Sequence, residues 1–558
     1  MRTRKTLSLL SIPLLAACSA EPSTTTQTVE ALSSGASYER PHHHHDRELE
    51  VRHVLLLSID GMHEVDLERF IANNRGSTLA SLAGHGVQYT NAWVNRLDGT
   101  ATNPSDSFPG LLALTTGGSS RSHGGWYDVS YARDLFSAAS GCAGAAGTAV
   151  AYDESIDVDN SHLWGNATDD TPTHESAVAR GRIDTSLLPR AKRGAGCTPV
   201  FPHQFIRINT IFEVAKAFGL HTAWSDKHLA YELVNGPSGE GVDDFFAPEI
   251  NSDPSKSLIP SAPAGSAFTD KWTYTETYDD YKVQAILNQI DGKWSDDGLA
   301  GAKDTASPKP GTPAIFGMNF QAVSVAQKSS ATDGGYLDAA GTPGPQIADA
   351  LAHTDASIGK MVAALEARGF LRQTLIIVTA KHGQSPIDKQ LYHPVDGDAV
   401  ASYLDQAAPV AGHIEDDVGL YWLANPKTAP AAVSALRSPT ASPDPRVDTV
   451  FSTADAKFVA MFGDPTKDPH TPDVIVQPKK GTVYSLSKKK DAEHGGFADD
   501  DSHVALLVSN PALKAETSAG AVRTKQVAPT VLRALGIDPL WLESVWLEGT
   551  QVLPELEF

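Results

Sequence analysis

The stretch His53-Val54-Leu55-Leu56-Leu57-Ser58-Ile59, closed by Asp60-Gly61, decides the fold. It is a near-continuous apolar run of strand length that ends in an acid and a glycine. A strand in a parallel sheet reads this way, because helices cover both of its faces. Working outward, helical patterns follow at about 64–73 and 77–83, then a short strand near Val87-Gln88-Tyr89-Thr90. Further buried-strand candidates are Pro313 to Phe320, Leu375 to Thr379, Asp473 to Gln477 and Val504 to Ser509. A helix is expected over about 346–368, with Gly369 as its stop, and another over Val527 to Leu535, ended by Gly536. Strands alternating with helices predict an α/β fold, a doubly wound and mainly parallel sheet.

The 131–309 region has a different texture. It is rich in Gly, Ser, Asp and Pro and poor in apolar runs. It reads as a large inserted cap on a core formed by 48–130 and 310–558. Inside it, Pro199 to Gly219 holds a helical stretch and His221 to Trp224 a short strand candidate. Cys142 and Cys197 also lie there, and with Cys18 they are the only cysteines. In an oxidising compartment an even pair is a disulfide candidate; two free buried thiols are the alternative.

The N-terminus carries Arg2, Arg4 and Lys5, a short apolar run from Leu7 to Leu15, and then Ala16-Ala17-Cys18. Residues 1–17 read as a signal peptide, since the apolar run is too short to span a bilayer. Leu15-Ala16-Ala17-Cys18 resembles a lipobox, which would place lipidation on Cys18; an ordinary cleavage site is the competing reading. Residues 18–47 are polar and read as a flexible tether. The His42-His43-His44-His45 tract within it reads as solvated linker or an appended tag. The protein is thus expected to be exported and held to the cell envelope by its N-terminal lipid.

The formal net charge of -22 argues against a nucleic-acid polymer as partner. An anionic substrate would need local positive charge from a metal, lysines or helix ends.

In parallel α/β sheets, ligands bind beyond the carboxyl ends of the strands. Asp60 ends the first strand, Lys381-His382-Gly383 follow another, and Glu493-His494-Gly495 precede a third. Asp and His are ligand types for zinc and similar ions. In Pro104-Ser105-Asp106-Ser107-Phe108-Pro109-Gly110, Ser107 falls at or near the N-cap of a helix running to Leu114. A serine there faces backbone N–H groups and the positive helix end, which suit a phosphoryl oxygen. Taken alone, Ser107 reads as a simple cap.

Taken in order, Asp60-Gly61, Ser107-Phe108-Pro109, Thr116-Gly117, His123-Gly124, Lys381-His382-Gly383 and His494-Gly495 resemble the nucleotide pyrophosphatase/phosphodiesterase branch of the alkaline phosphatase superfamily. The resemblance implies a metal-dependent hydrolase of phosphoric esters. In it Ser107 matches the nucleophile. Asp60 and His382 match ligands of one metal, and His494 matches a ligand of the other. Two departures stand out. The family's Asp-His-Gly is Lys381-His382-Gly383 here. After Phe320, where the family has an Asp and a His, Gln321 to Lys328 contain neither. The expected cofactor is therefore one divalent ion, zinc-like, rather than two, held by Asp60, His382 and His494 with Ser107 or Gln321 nearby. Lys381 would supply charge in place of the lost ion. The partner expected is a small anionic ester. The alternatives are a degenerate member that binds an anion or glycan without turnover, and a transferase of the same fold. Asp128 and Asp226-Lys227-His228 were weighed as weaker site candidates and Asp355 as structural. Cys197-Thr198-Pro199 lacks the arginine of a sulfatase nucleophile segment.

Overall fold

The computed structural model describes residues 50–303, 308–488 and 490–558. The signal peptide, Cys18, the tether and the histidine tract lie outside the described residues. The main sheet has eight strands: β1 (His53–Ile59), β2 (Gly86–Tyr89), β3 (Ala223–Ser225), β4 (Asp244–Phe246), β5 (Ile315–Phe320), β6 (Thr374–Thr379), β7 (Leu506–Ser509) and β8 (Glu516–Ser518). Their order is β8-β2-β7-β6-β1-β5-β3-β4. All neighbouring pairs are parallel except β7 with β6 and with β2. The expected mainly parallel α/β sheet is present.

Alternation along β1 builds the two faces. Val54 and Leu56 pack with one core, which holds Leu111 and Leu112 of α1 (Ser107–Thr116), Ile211 of α2 (Ile211–Ala217) and Val527. Leu55, Leu57 and Ile59 join the opposite core, with Ile286 of α3 (Trp272–Ile290) and Ile347, Ile358 and Met361 of a later helix. Each such side chain contributes roughly 1.5–3 kcal/mol when fully buried, which is why the run tolerates no charge until its end. That end is bracketed by α4 (Ala322–Lys328) and α5 (Pro345–Ala367); α6 (Val527–Ala534) covers the other side of the sheet. Gly369 and Gly536 follow α5 and α6 at φ of 73° and 74°, the left-handed geometry expected of helix stops. Asp355, on α5, accepts hydrogen bonds from the backbone N–H groups of Thr78 and Leu79, a structural role.

Two expectations change. Asp473 to Gln477 does not join the main sheet. Its strand, Val474–Pro478, lies in a separate four-stranded antiparallel sheet with Val410–Glu415, Gly419–Leu423 and Val447–Ser452. A doubly buried run reads the same in either setting, so its pattern could not assign the sheet. The 131–309 region, read as a cap, supplies β3, β4, α2 and α3 to the core layers. β3 and β4 have three residues each, too short to give a periodic signal. Cys142 and Cys197 are disulfide-bonded, with Cα atoms 5.8 Å apart. Among the described residues no helix is long and apolar enough to cross a membrane.

Candidate active site

Register brings the site together. β1 pairs Ser58 with both Asn319 and Thr379, and β5 pairs Met318 with Ser225. Asp60, Gln321, Lys381 and Lys227 therefore all emerge just beyond one sheet edge. The Asp60 N–H donates to Phe320 O, and the Gly61 N–H to His382 O, which carries the alignment past the strands.

Ser107 stands at the head of α1, but it is not the cap. Asp106, in extended backbone, accepts from the Phe108 N–H at 3.0 Å and takes that role. The correction has a consequence: Ser107 Oγ is left uncommitted to its own helix. It lies 3.1 Å from His382 Nε2 and accepts a hydrogen bond from Lys227 Nζ, also at 3.1 Å. The His382 Nδ1–H donates to the carbonyl of Gly383 at 2.8 Å. A carbonyl only accepts, so neutral His382 presents the lone pair of Nε2 to the serine. α1 reaches the end of β6 because residue 110 is glycine; a Cβ there would run into the carbonyl oxygen of Lys381.

Asp60 is the electrostatic hub. Its Oδ2 accepts from Asn319 Nδ2 at 2.9 Å and from Gln321 Nε2. The same oxygen lies 3.5 Å from Lys381 Nζ, 3.6 Å from His382 Nε2 and 3.7 Å from Lys227 Nζ. Burial opposes its ionisation, but the ammonium groups of Lys381 and Lys227 hold the carboxyl well below its usual range. Lys381 is fully buried, 3.7 Å from Asp226 Oδ1, and its Nζ has no hydrogen-bond partner. Its ammonium sits 4.7 Å from the centroid of the Tyr231 ring. Lys282 supports this floor from below, donating to Asn319 O and lying 3.5 Å from Asp279.

The His494 ring lies against that of His382, tilted by 37° with centroids 3.9 Å apart, and its Nδ1 lies 3.4 Å from Asp106 Oδ1. Burial, with the neighbouring His382 and Lys328 adding to it, holds the imidazole well below its usual range. The His494 carbonyl accepts from Tyr127 Oη, which also donates to Asp416 at the edge of the small sheet. Asp128 is pushed up to about 8 by burial and by the charge of Asp106.

The site opens into a cleft of about 990 Å³. Lys227, Lys271, Lys328, Lys488 and Lys490 line it, a concentration of positive charge on a chain of net charge -22. Lys328 and Lys490 each bind Glu493 at 2.6 Å.

The model of the type I phosphodiesterase / nucleotide pyrophosphatase family matches residues 54–501, which run from β1 through the His494 loop. The chain belongs to that family. As a member it is a hydrolase of phosphoric esters. No curated protein was found to match it in sequence. Among solved structures, alkaline phosphatase PafA is similar at 14% identity and TM-score 0.53, over 88% of this chain and 97% of that one. Murine ectonucleotide pyrophosphatase / phosphodiesterase 5 is similar at 13% and 0.49, over 89% and 99%. Phosphonoacetate hydrolase from Sinorhizobium meliloti is similar at 13% and 0.48, over 88% and 97%. The likeness to PafA speaks for the fold alone.

Family membership makes a divalent ion the expected cofactor, and the donor set tests it. Among the described residues, one group of three or more His, Cys, Asp or Glu has ligand atoms mutually within 4.8 Å: Asp398, His413 and Glu415, in the small-sheet region. Asp60, His382 and His494 do not form such a group. Asp60 and His382 are a partial set, and two lysine ammonium groups stand against it. As arranged, these residues do not fit an ion. Of the residues singled out in the sequence, the structure brings Asp60, Ser107, Lys381, His382 and Gln321 into one cluster, with His494 at its flank. Lys227, a weaker candidate after the His221 to Trp224 strand candidate, proves to contact both Ser107 and Asp60; its position beyond β3 is the signal that favours it.

Proposed function

We propose that this family member hydrolyses small phosphoric mono- or diesters through Ser107 as nucleophile. The observation that carries the reading is Ser107 Oγ, at the head of a buried helix, 3.1 Å from both His382 Nε2 and Lys227 Nζ. Ser107 Oγ forms a bond to phosphorus, and the bond from phosphorus to the leaving oxygen breaks. The hydroxyl proton passes to His382 Nε2, and the leaving oxygen takes its proton from solvent. Water then attacks the phosphoserine and gives a proton to solvent. Ser107 Oγ departs and takes its own proton back from His382. Backbone N–H groups at the helix head and the Lys227 ammonium, which lines the cleft, receive the phosphoryl oxygens. The lysine-lined cleft favours a small anionic substrate over a polymer. The resemblance assigns Asp60, Ser107, His382 and His494 to metal binding; no step here is routed through an ion.

Export and lipid attachment at Cys18 belong to the same reading. The Cys142–Cys197 disulfide supports an oxidising compartment.

The test is a panel of nitrophenyl mono- and diesters, with Ser107→Ala beside the native chain and mass spectrometry of the acid-quenched enzyme. Turnover lost in the variant, and a phosphate on Ser107 in the native chain, are expected. Binding of an ester without turnover by either chain would turn the reading to a ligand-binding member.

A further inference from the structure

Asp60 Oδ2, His382 Nε2 and Ser107 Oγ surround one position: the imidazole nitrogen is 3.1 Å from the serine and 3.6 Å from the carboxylate. Lys227 Nζ faces the same carboxylate and serine oxygens, at 3.7 and 3.1 Å. On the other side of Asp60 Oδ2 lies Lys381 Nζ, at 3.5 Å. That oxygen also accepts two side-chain amides, so nothing in its surroundings is left for an ion to replace. Among the described residues Asp60 Oδ1 has no hydrogen-bond partner, and no three-residue set of His, Cys, Asp or Glu closes around it.

The two ammonium groups are held in place rather than swinging in solvent. Lys381 is fully buried. Lys227 follows β3, whose register with β5 sets it beside Gln321. Both approach the face of Tyr231, with Nζ 4.7 and 5.8 Å from the ring centroid. A divalent ion entering between Asp60 and Ser107 would meet like charge on two sides.

We propose that Lys227 takes the place and the work of the divalent ion at Ser107, and that with Lys381 it lets this chain cleave phosphoric esters without a metal. The ammonium of Lys227 donates to Ser107 Oγ and stabilises the negative charge that grows on it during attack and departure. Lys381, buried behind Asp60 at 3.5 Å from Oδ2, balances the carboxylate's charge from the protein side. Lys227 is then a catalytic residue, touching the reacting oxygen. The inference rests on Ser107 being the nucleophile.

Two measurements on the full chain separate this inference from that reading. The first is zinc stoichiometry by calorimetry on the native chain and on His382→Ala, with circular dichroism confirming that both fold. The His42–His45 tract contributes equally to both. Equal stoichiometry is expected; one zinc fewer in the variant overturns the proposal. The second is ester turnover after exhaustive chelation, again with Lys227→Met and Lys227→Arg. Native turnover is expected to survive chelation, and Lys227→Met to lose about 100-fold, unrescued by zinc or manganese, with Lys227→Arg losing less. Turnover abolished by chelation and restored by one equivalent of zinc would overturn the proposal. If the native chain cleaves no ester, the nucleophile reading falls, while the zinc comparison still decides what fills the position beside Asp60.

Discussion

The eight-stranded and four-stranded sheets handle charge differently. The eight-stranded sheet gathers ionisable side chains at one rim, where Asp60, Lys381, Asp226 and His382 are all buried. The four-stranded sheet keeps an apolar interior of Val400, Leu404, Leu423, Val474 and Val476, and its one candidate ligand group, around Asp398 and His413, is exposed. Burying charge costs free energy unless it is paired. At the main-sheet rim several opposed charges meet that cost around one carboxylate, Asp60, whereas the small sheet meets it at Asp473 with a single opposed charge, Arg133. Its contribution to the site is indirect: Asp416, at its edge, receives the Tyr127 hydroxyl that also holds the His494 carbonyl.

Substitutions at the rim and in the small sheet should therefore separate activity from stability. The largest effect is expected for Ser107→Ala: ester turnover falls by about 10³-fold or more with the melting temperature unchanged. A variant that keeps turnover, or that loses activity only because it melts, would break the contrast. Leu404→Ala, in the small sheet's core, is expected to cost about 2–5 kcal/mol in denaturant unfolding while turnover per folded molecule stays near native. Loss of turnover in the folded fraction would show that the sheet supports the site more directly than through Tyr127. Tyr127→Phe sharpens the point, with an expected fall in turnover of about 3- to 10-fold and a stability loss of about 1 kcal/mol from the lost hydrogen bonds.

The smallest effect is pH-dependent. Asp128, pushed up to about 8 from an ordinary 3.8, stays protonated in the folded chain after the unfolded chain has lost that proton. The folded state then binds more protons, so this group's effect on stability worsens as pH rises from about 4 toward 8. Asp128→Asn removes that dependence. Thermal melts at pH 5 and pH 8 are expected to show the variant gaining on the native chain by about a few degrees more at pH 8 than at pH 5. An equal shift at both pH values would remove Asp128 from the acidic rim.

Much of the rim was legible because it depends on local order along the chain. The β1 run ending in Asp60, and Lys381-His382 after β6, were placed by the rule that chemistry gathers beyond parallel strand ends. Lys227 was only partly legible. The strand candidate His221 to Trp224 overlaps β3 and puts Asp226-Lys227-His228 just beyond a strand end, but nothing local separates a site lysine there from a surface one. Asp106 was missed as the cap because two adjacent residues, Asp106 and Ser107, are both good caps by type. Only the extended backbone at Asp106 distinguishes them. The Val474–Pro478 strand was legible as a strand but not as a member of the second sheet.

By itself the sequence determined the α/β class, the carboxyl-end placement of Asp60 and His382, the serine at a helix head and the loss of metal-ligand side chains. These follow from apolar periodicity and residue type, which act over a few neighbouring positions. Tertiary structure alone decided that Lys227 reaches Ser107 from 120 positions away and that Lys381 turns inward onto Asp60. Such contacts depend on strand register and on how closely α1 approaches β6, and neither is written in any local pattern of side chains.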